Sequence, residues 1–88
     1  MKLIIAIARD EDSDDIISAL IEREYRVTRI ASTGGFLRRG MTTMMVGVDE
    51  DKVDDVITVF ESSFSSVVGD NKRRTTIFVL NVEHFTQV

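Results

Sequence analysis

The stretch Arg26-Val-Thr-Arg-Ile-Ala-Ser-Thr-Gly-Gly-Phe-Leu-Arg-Arg-Gly-Met-Thr-Thr-Met-Met-Val-Gly-Val48 reads as two extended segments joined by a glycine- and arginine-rich connection. Val27, Thr28, Ile30 and Ala31 belong to the first segment. Thr43, Met44, Met45, Val46 and Val48 give the second the β-branched and long apolar residues of a half-buried pleated surface. Between them, Gly34 and Gly35 tolerate positive φ and let a ligand approach the backbone, Ser32 and Thr33 offer hydroxyls, and Arg38 and Arg39 carry permanent charge. Two readings fit these residues. A Gly-Gly pair between strands makes an ordinary turn flanked by solvated arginines. The same loop suits a phosphate, and Phe36-Leu37 at its tip, which has no place in a core-facing row, suits a nucleobase attached to that phosphate. Arg26, read as lying on a strand beside this loop, is a second candidate for the anion.

Toward the amino terminus, Lys2 to Ala8 contains an unbroken Leu-Ile-Ile-Ala-Ile-Ala run of strand length, the pattern of a central strand covered on both faces. Arg9-Asp-Glu-Asp-Ser13 ends it, and Asp12 or Ser13 is placed to cap a helix whose first turn carries Asp14 and Asp15. Ile16, Ile17, Leu20 and Ile21 recur at helical spacing, and this helix is predicted to end near Tyr25. Toward the carboxyl terminus, Asp49-Glu-Asp51 opens a second helix with an apolar stripe of Val53, Val56, Ile57, Phe60 and Phe64. Val67 to Arg74 reads as a loop, Thr75 to Val82 as the last strand, and Glu83 to Val88 as a tail with room for an edge strand.

The chain repeats itself. Asp10-Glu-Asp before Asp14-Asp-Ile-Ile-Ser-Ala-Leu parallels Asp49-Glu-Asp before Asp54-Asp-Val-Ile-Thr-Val-Phe, roughly forty residues on. Two β-α-β halves give β-α-β-β-α-β, an α+β ferredoxin-like fold with an antiparallel sheet and both helices on one face, as one domain over residues 1–88. The bare sheet face then calls for a partner, and a second copy is the simplest one.

Composition narrows the function. A chain of 88 residues buries only about 60% or slightly more of the surface its unfolded form exposes, so association would add needed stability. It contains no cysteine, no apolar run of membrane-spanning length and no charged-then-apolar leader, which leads us to expect a cytoplasmic protein without membrane contact. Net charge is −4, with ten of fifteen acids in Asp10 to Asp15 and Asp49 to Asp55. That balance argues against binding a nucleic-acid polymer and leaves room for a local anion site among Arg23, Arg26, Arg29, Arg38 and Arg39. His84 is the only histidine, no nucleophile-elbow pattern occurs, and the acid clusters stand where helix caps need them, so neither catalysis nor a metal or other cofactor is expected.

The opening Met-Lys-Leu-Ile-Ile-Ala-Ile, the Arg26-Val-Thr28 step and Thr33-Gly-Gly-Phe-Leu-Arg38 followed by Gly40-Met-Thr-Thr43 resemble the P-II-like cyclic di-AMP receptor family. The similarity continues through Phe78-Val-Leu to Phe85-Thr-Gln87. It implies a homotrimer that binds cyclic di-AMP, or a related adenine nucleotide, in clefts between subunits and reports it to a regulatory target protein without catalysis. Carried over by position, Arg26 and Thr28 would meet phosphate and ribose. Backbone groups of Phe36 and Leu37 would hold one base, Gly35 would belong to the ligand site with them, Gly47 would line the pocket, and Gln87 would lie near it. The sequence departs from the family in having Met41 where Asn is usual, and in a shortened loop, roughly Ser62 to Arg74, before the last strand. The alternative reading is a constitutive trimeric interaction module without a ligand.

Overall fold

The computed structural model describes residues 1–32, 40–62 and 75–88. β1 (Lys2–Arg9) is hydrogen-bonded on both sides, antiparallel to β3 (Met41–Val48) and to β4 (Thr75–Asn81), while β2 (Val27–Ser32) pairs with the far side of β3. The order across the sheet is β2-β3-β1-β4, with α1 (Asp10–Glu22) after β1 and α2 (Val53–Ser62) after β3. This is the ferredoxin-like arrangement, built from two interleaved β-α-β units.

Strand alternation sorts the side chains into two rows. Ile4, Ala6 and Ala8 of β1 join Met44, Val46 and Val48 of β3 in the row that meets the helices, and all are buried. Ile16 and Leu20 of α1 and Val56, Val59 and Phe60 of α2 complete this core. The opposite row holds Leu3, Ile5, Ile7 and Met45, half-buried, with Phe78 and Leu80 at 52% and 46% exposure. The Leu3 to Ala8 run is therefore central in the sheet but covered on one face only. Its apolar content cannot by itself distinguish a strand buried on both sides from one waiting for another subunit.

α1 also differs from the sequence expectation at both ends. It begins at Asp10, directly after the strand, with Arg9 as cap residue and no side-chain cap. Ser13 is buried in the first turn and donates to the Asp10 carbonyl at 3.0 Å, while the Thr42 hydroxyl donates to the Asp10 carboxylate. The Asp10 amide donates to the Gly40 carbonyl at 3.1 Å. Asp10 is thus fixed by β3 and the residue before it, which sets the helix start earlier than Asp12 or Ser13. The buried stripe is Ser13, Ile16 and Leu20, which leaves Ile21 58% exposed. In α2, Val59 is buried and Ile57 only half-buried, and Phe64 lies outside the described residues. The tail after β4 forms no strand among residues 82–88.

The helix ends at Glu22, before Tyr25, in a Schellman-type turn. The Glu24 amide donates to the Ile21 carbonyl at 2.8 Å and the Tyr25 amide to the Leu20 carbonyl at 3.0 Å, with Glu24 at φ 70°. Tyr25 is then held by α2, its hydroxyl donating to Asp55 Oδ2 at 2.6 Å, and Arg23 Nη1 reaches Asp55 Oδ1 at 2.5 Å. One carboxylate thereby ties the α1–β2 turn to the second helix.

Two outcomes follow from this junction. Glu24→Gly removes a side chain from a left-handed backbone position and is expected to raise stability by about 1 kcal/mol in urea denaturation. The Tyr25 hydrogen bond, then the Arg23 guanidinium, hold Asp55 below the usual carboxylate range. The stability this adds is present above about pH 4 and is lost as pH falls through the folded-state value. The bond to Asp55, aided by burial, raises Tyr25, so its contribution persists to about pH 10 and is lost as pH rises through the higher folded-state value. Melting curves of Tyr25→Phe across pH should show a lower midpoint at neutrality and weaker declines from this pair at both extremes.

Candidate functional site

A cavity of about 430 Å³ opens on the helix-free face, at the end of the sheet where β1 starts and β3 stops. Its volume lies within the range of small-molecule sites, about 300–1,000 Å³. Arg26, Thr28, Gly47 and Gln87 all line it. β2 brings Thr28 opposite Met45 on β3, two residues from Gly47, and Arg26 immediately precedes the strand. Gln87 arrives from the tail, whose path is fixed where the Val82 amide donates to the Met1 carbonyl at 3.0 Å.

The charge distribution singles out Arg26. Its neighbours Arg23 and Arg29 are engaged, Arg23 with Asp55 at 2.5 Å and Arg29 with Asp14 of α1 at 2.9 Å, both on the helix side. Such half-exposed pairs are worth little stability, but they commit each guanidinium to a direction. Among the described residues Arg26 forms no ion pair and no carboxylate lines the cavity. Lys2 borders it too, yet its register opposite Val48 and Asn81 sends its ammonium to Asn81 Oδ1, on the helix-facing row.

Gly47 keeps the floor open. A β-carbon built there would stand 3.4 Å from Met1 Cε, an ordinary contact, so the fold accommodates a methyl that the cavity would lose. Met1, Met45 and Phe85 also line the cavity, although residue patterns did not mark them. Met45 was readable, because it alternates with Gly47 on one strand face. Met1 depends on the long-range pairing of the two termini, which no local pattern carries.

Gly35, Phe36 and Leu37 lie outside the described residues. The residues flanking that loop, Ser32 and Gly40, stand at the other end of the sheet, with Ser32 opposite Thr42 and the Gly40 carbonyl bonded to Asp10. The full length of β2 separates Arg26 from Ser32, the last described residue before Gly40. Among the described residues no group of three or more His, Cys, Asp or Glu side chains could hold a metal ion, and no helix is long and apolar enough to cross a membrane.

Known proteins share the sequence pattern and the fold. A GlnB-like protein of the nitrogen-fixation nifHD region of Methanothermococcus thermolithotrophicus is 33% identical over 86 residues, covering 82% of each chain. A crystal structure of a functionally unknown protein from Pediococcus pentosaceus superposes with a TM-score of 0.79 at 29% identity, covering 99% of this chain and 96% of that one. The sequence profile of the cyclic-di-AMP receptor family matches residues 1–73, which include both β-α units and the Arg26 to Val48 hairpin, and the chain belongs to this P-II-like receptor family.

Proposed function

We propose that this protein is a cytoplasmic sensor that binds cyclic di-AMP, or a related adenine nucleotide, in the clefts between subunits of a homotrimer. It signals occupancy to a target protein and does no chemistry on the ligand. The observation that carries this reading is Arg26, without an ion pair among the described residues, lining one cavity with Thr28, Gly47 and Gln87, where none of those residues adds a carboxylate. A guanidinium is suited to a phosphodiester, and a hydroxyl and an amide on the same wall suit ribose and base.

Two features favour a site shared between copies. From Gly40 to Gly47 the sheet runs roughly 24 Å at about 3.4 Å per residue. A connection of residues 33–39, whose ends are fixed side by side, reaches at most about 14 Å from them. A site that uses both Arg26 and the Gly35, Phe36 and Leu37 implied by the family resemblance is therefore one that draws on two copies. The helix-free face, with Ile5, Ile7, Met45, Phe78 and Leu80, supplies the apolar surface for that association.

Light scattering coupled to size exclusion should give a mass of three times 9.9 kDa at micromolar concentration. A monomer would remove the shared cleft. Titration calorimetry with cyclic di-AMP should show binding by the wild-type chain and a loss of about 2 kcal/mol or more, roughly thirtyfold, in Arg26→Ala. Gly47→Ala should keep folding stability within about 0.5 kcal/mol yet weaken binding at least tenfold or so, since its methyl enters the cavity. A trimer that binds no adenine nucleotide would leave the constitutive interaction module as the function.

A further inference from the structure

We infer that Phe85 is the aromatic platform on which a purine ring of the ligand stacks, a specificity contact supplied by the tail of the same chain that supplies Arg26. The inference rests on the nucleotide reading above and assigns a residue that reading leaves without a role.

Phe85 stands apart from every other aromatic residue described. Phe60 is buried in the core, Tyr25 is half-buried and bonded to Asp55, and Phe78 lies on the open sheet face opposite Ile5, outside the cavity lining. Phe85 is 64% exposed, packs against no part of the core, and borders the cavity that Arg26 and Thr28 line. Its segment is anchored to the sheet where the tail begins and bonded within itself around the ring. The Val82 amide is bonded to the Met1 carbonyl three residues before it, and the Thr86 hydroxyl pairs with His84 Nε2 at 2.8 Å around it.

An exposed ring beside an unpaired guanidinium fits two parts of one molecule. The π-face takes a planar base at little entropic cost, and the guanidinium takes the phosphate attached to it. Gln87, two residues on and also on the cavity wall, adds an amide that donates and accepts at a base edge. An acyclic polyphosphate or a simple sugar phosphate would use the guanidinium and leave the ring in water. The ligand class selected is thus a nucleotide, a purine one on the reading it rests on.

The chain contains no tryptophan, so Phe85→Trp introduces a single indole at the proposed platform. Cyclic di-AMP should quench its emission, with affinity within about threefold of wild type, whereas inorganic phosphate and ribose 5-phosphate should not. Phe85→Ala should lose roughly tenfold or more in calorimetric affinity. Phe85→Leu, which keeps apolar bulk without a π-face, should lose nearly as much, both with the wild-type oligomeric mass and melting temperature. Wild-type affinity in Phe85→Leu or Phe85→Ala, or unchanged indole emission at saturation in a Phe85→Trp chain that binds, would overturn the inference and leave the proposed function standing. Loss of assembly in Phe85→Ala, with Phe85→Leu assembling and binding normally, would overturn it too, by showing a packing role. Failure of the wild-type chain to bind cyclic di-AMP or any adenine nucleotide would overturn both.

Discussion

β1 is bonded to a strand on each side, and its helix-facing row is Ile4, Ala6 and Ala8, all without solvent exposure. Two alanines in that row leave volume that Ile16, Leu20, Val56 and Phe60 fill from above, so both helices are drawn to one side of the sheet. Close packing there is what sustains a chain of this size, because a small domain has little surplus burial to spend elsewhere. The cost is an unbalanced sheet. Leu3, Ile5 and Ile7 on the same strand face the other way and remain only half covered. The asymmetry that folds the chain is the asymmetry that leaves an exposed apolar face and a cavity on the reverse side.

Electrostatics follow the same division. The acids that crowd the helix starts draw Arg23 and Arg29 to the helix side, where Asp55 and Asp14 meet them. Arg26, one residue before the strand, borders the cavity on the other side of the sheet, where no acid among the described residues lines the wall. Charge segregation along the sequence thus becomes segregation across the sheet. A chain of net charge −4 keeps a guanidinium on one face while Asp14 and Asp55 hold its neighbours on the other.

Much of this was legible from residue patterns. The repeated strand, acidic turn and helix gave the element order, because it depends on local periodicity, whereas the unbroken apolar run of β1 hid its division into a covered and an open row. The start of α1 was not legible. It depends on Thr42 and Gly40 holding Asp10 from another strand, and side-chain capping rules see only neighbours in sequence. Likewise Val59 enters the core ahead of Ile57 through the way α2 is rotated on the sheet. At the site, Arg26, Thr28, Gly47 and Gln87 were named from resemblance, and the structure brings them to one cavity. Gly35, Phe36 and Leu37 lie outside the described residues, so only the four residues from β2 and the position before it, β3 and the tail are seen together.

The register shift between Arg29 and Ala31 has a consequence of its own. Up to Arg29, β2 pairs with β3 in one frame, Thr28 opposite Met45 and Arg29 opposite Met44; beyond Ile30 the pairing resumes one residue later, with Ala31 opposite Thr43. The bulge sits between the residues that reach the cavity and the connection that leaves at Ser32. It works as an expansion joint in the hairpin, where gain or loss of a residue is absorbed locally. Twist and length on the loop side can therefore drift over evolutionary time, and a loop can be refitted to a changed neighbour, while the alignment of Arg26 and Thr28 over Gly47 stays where β3 sets it.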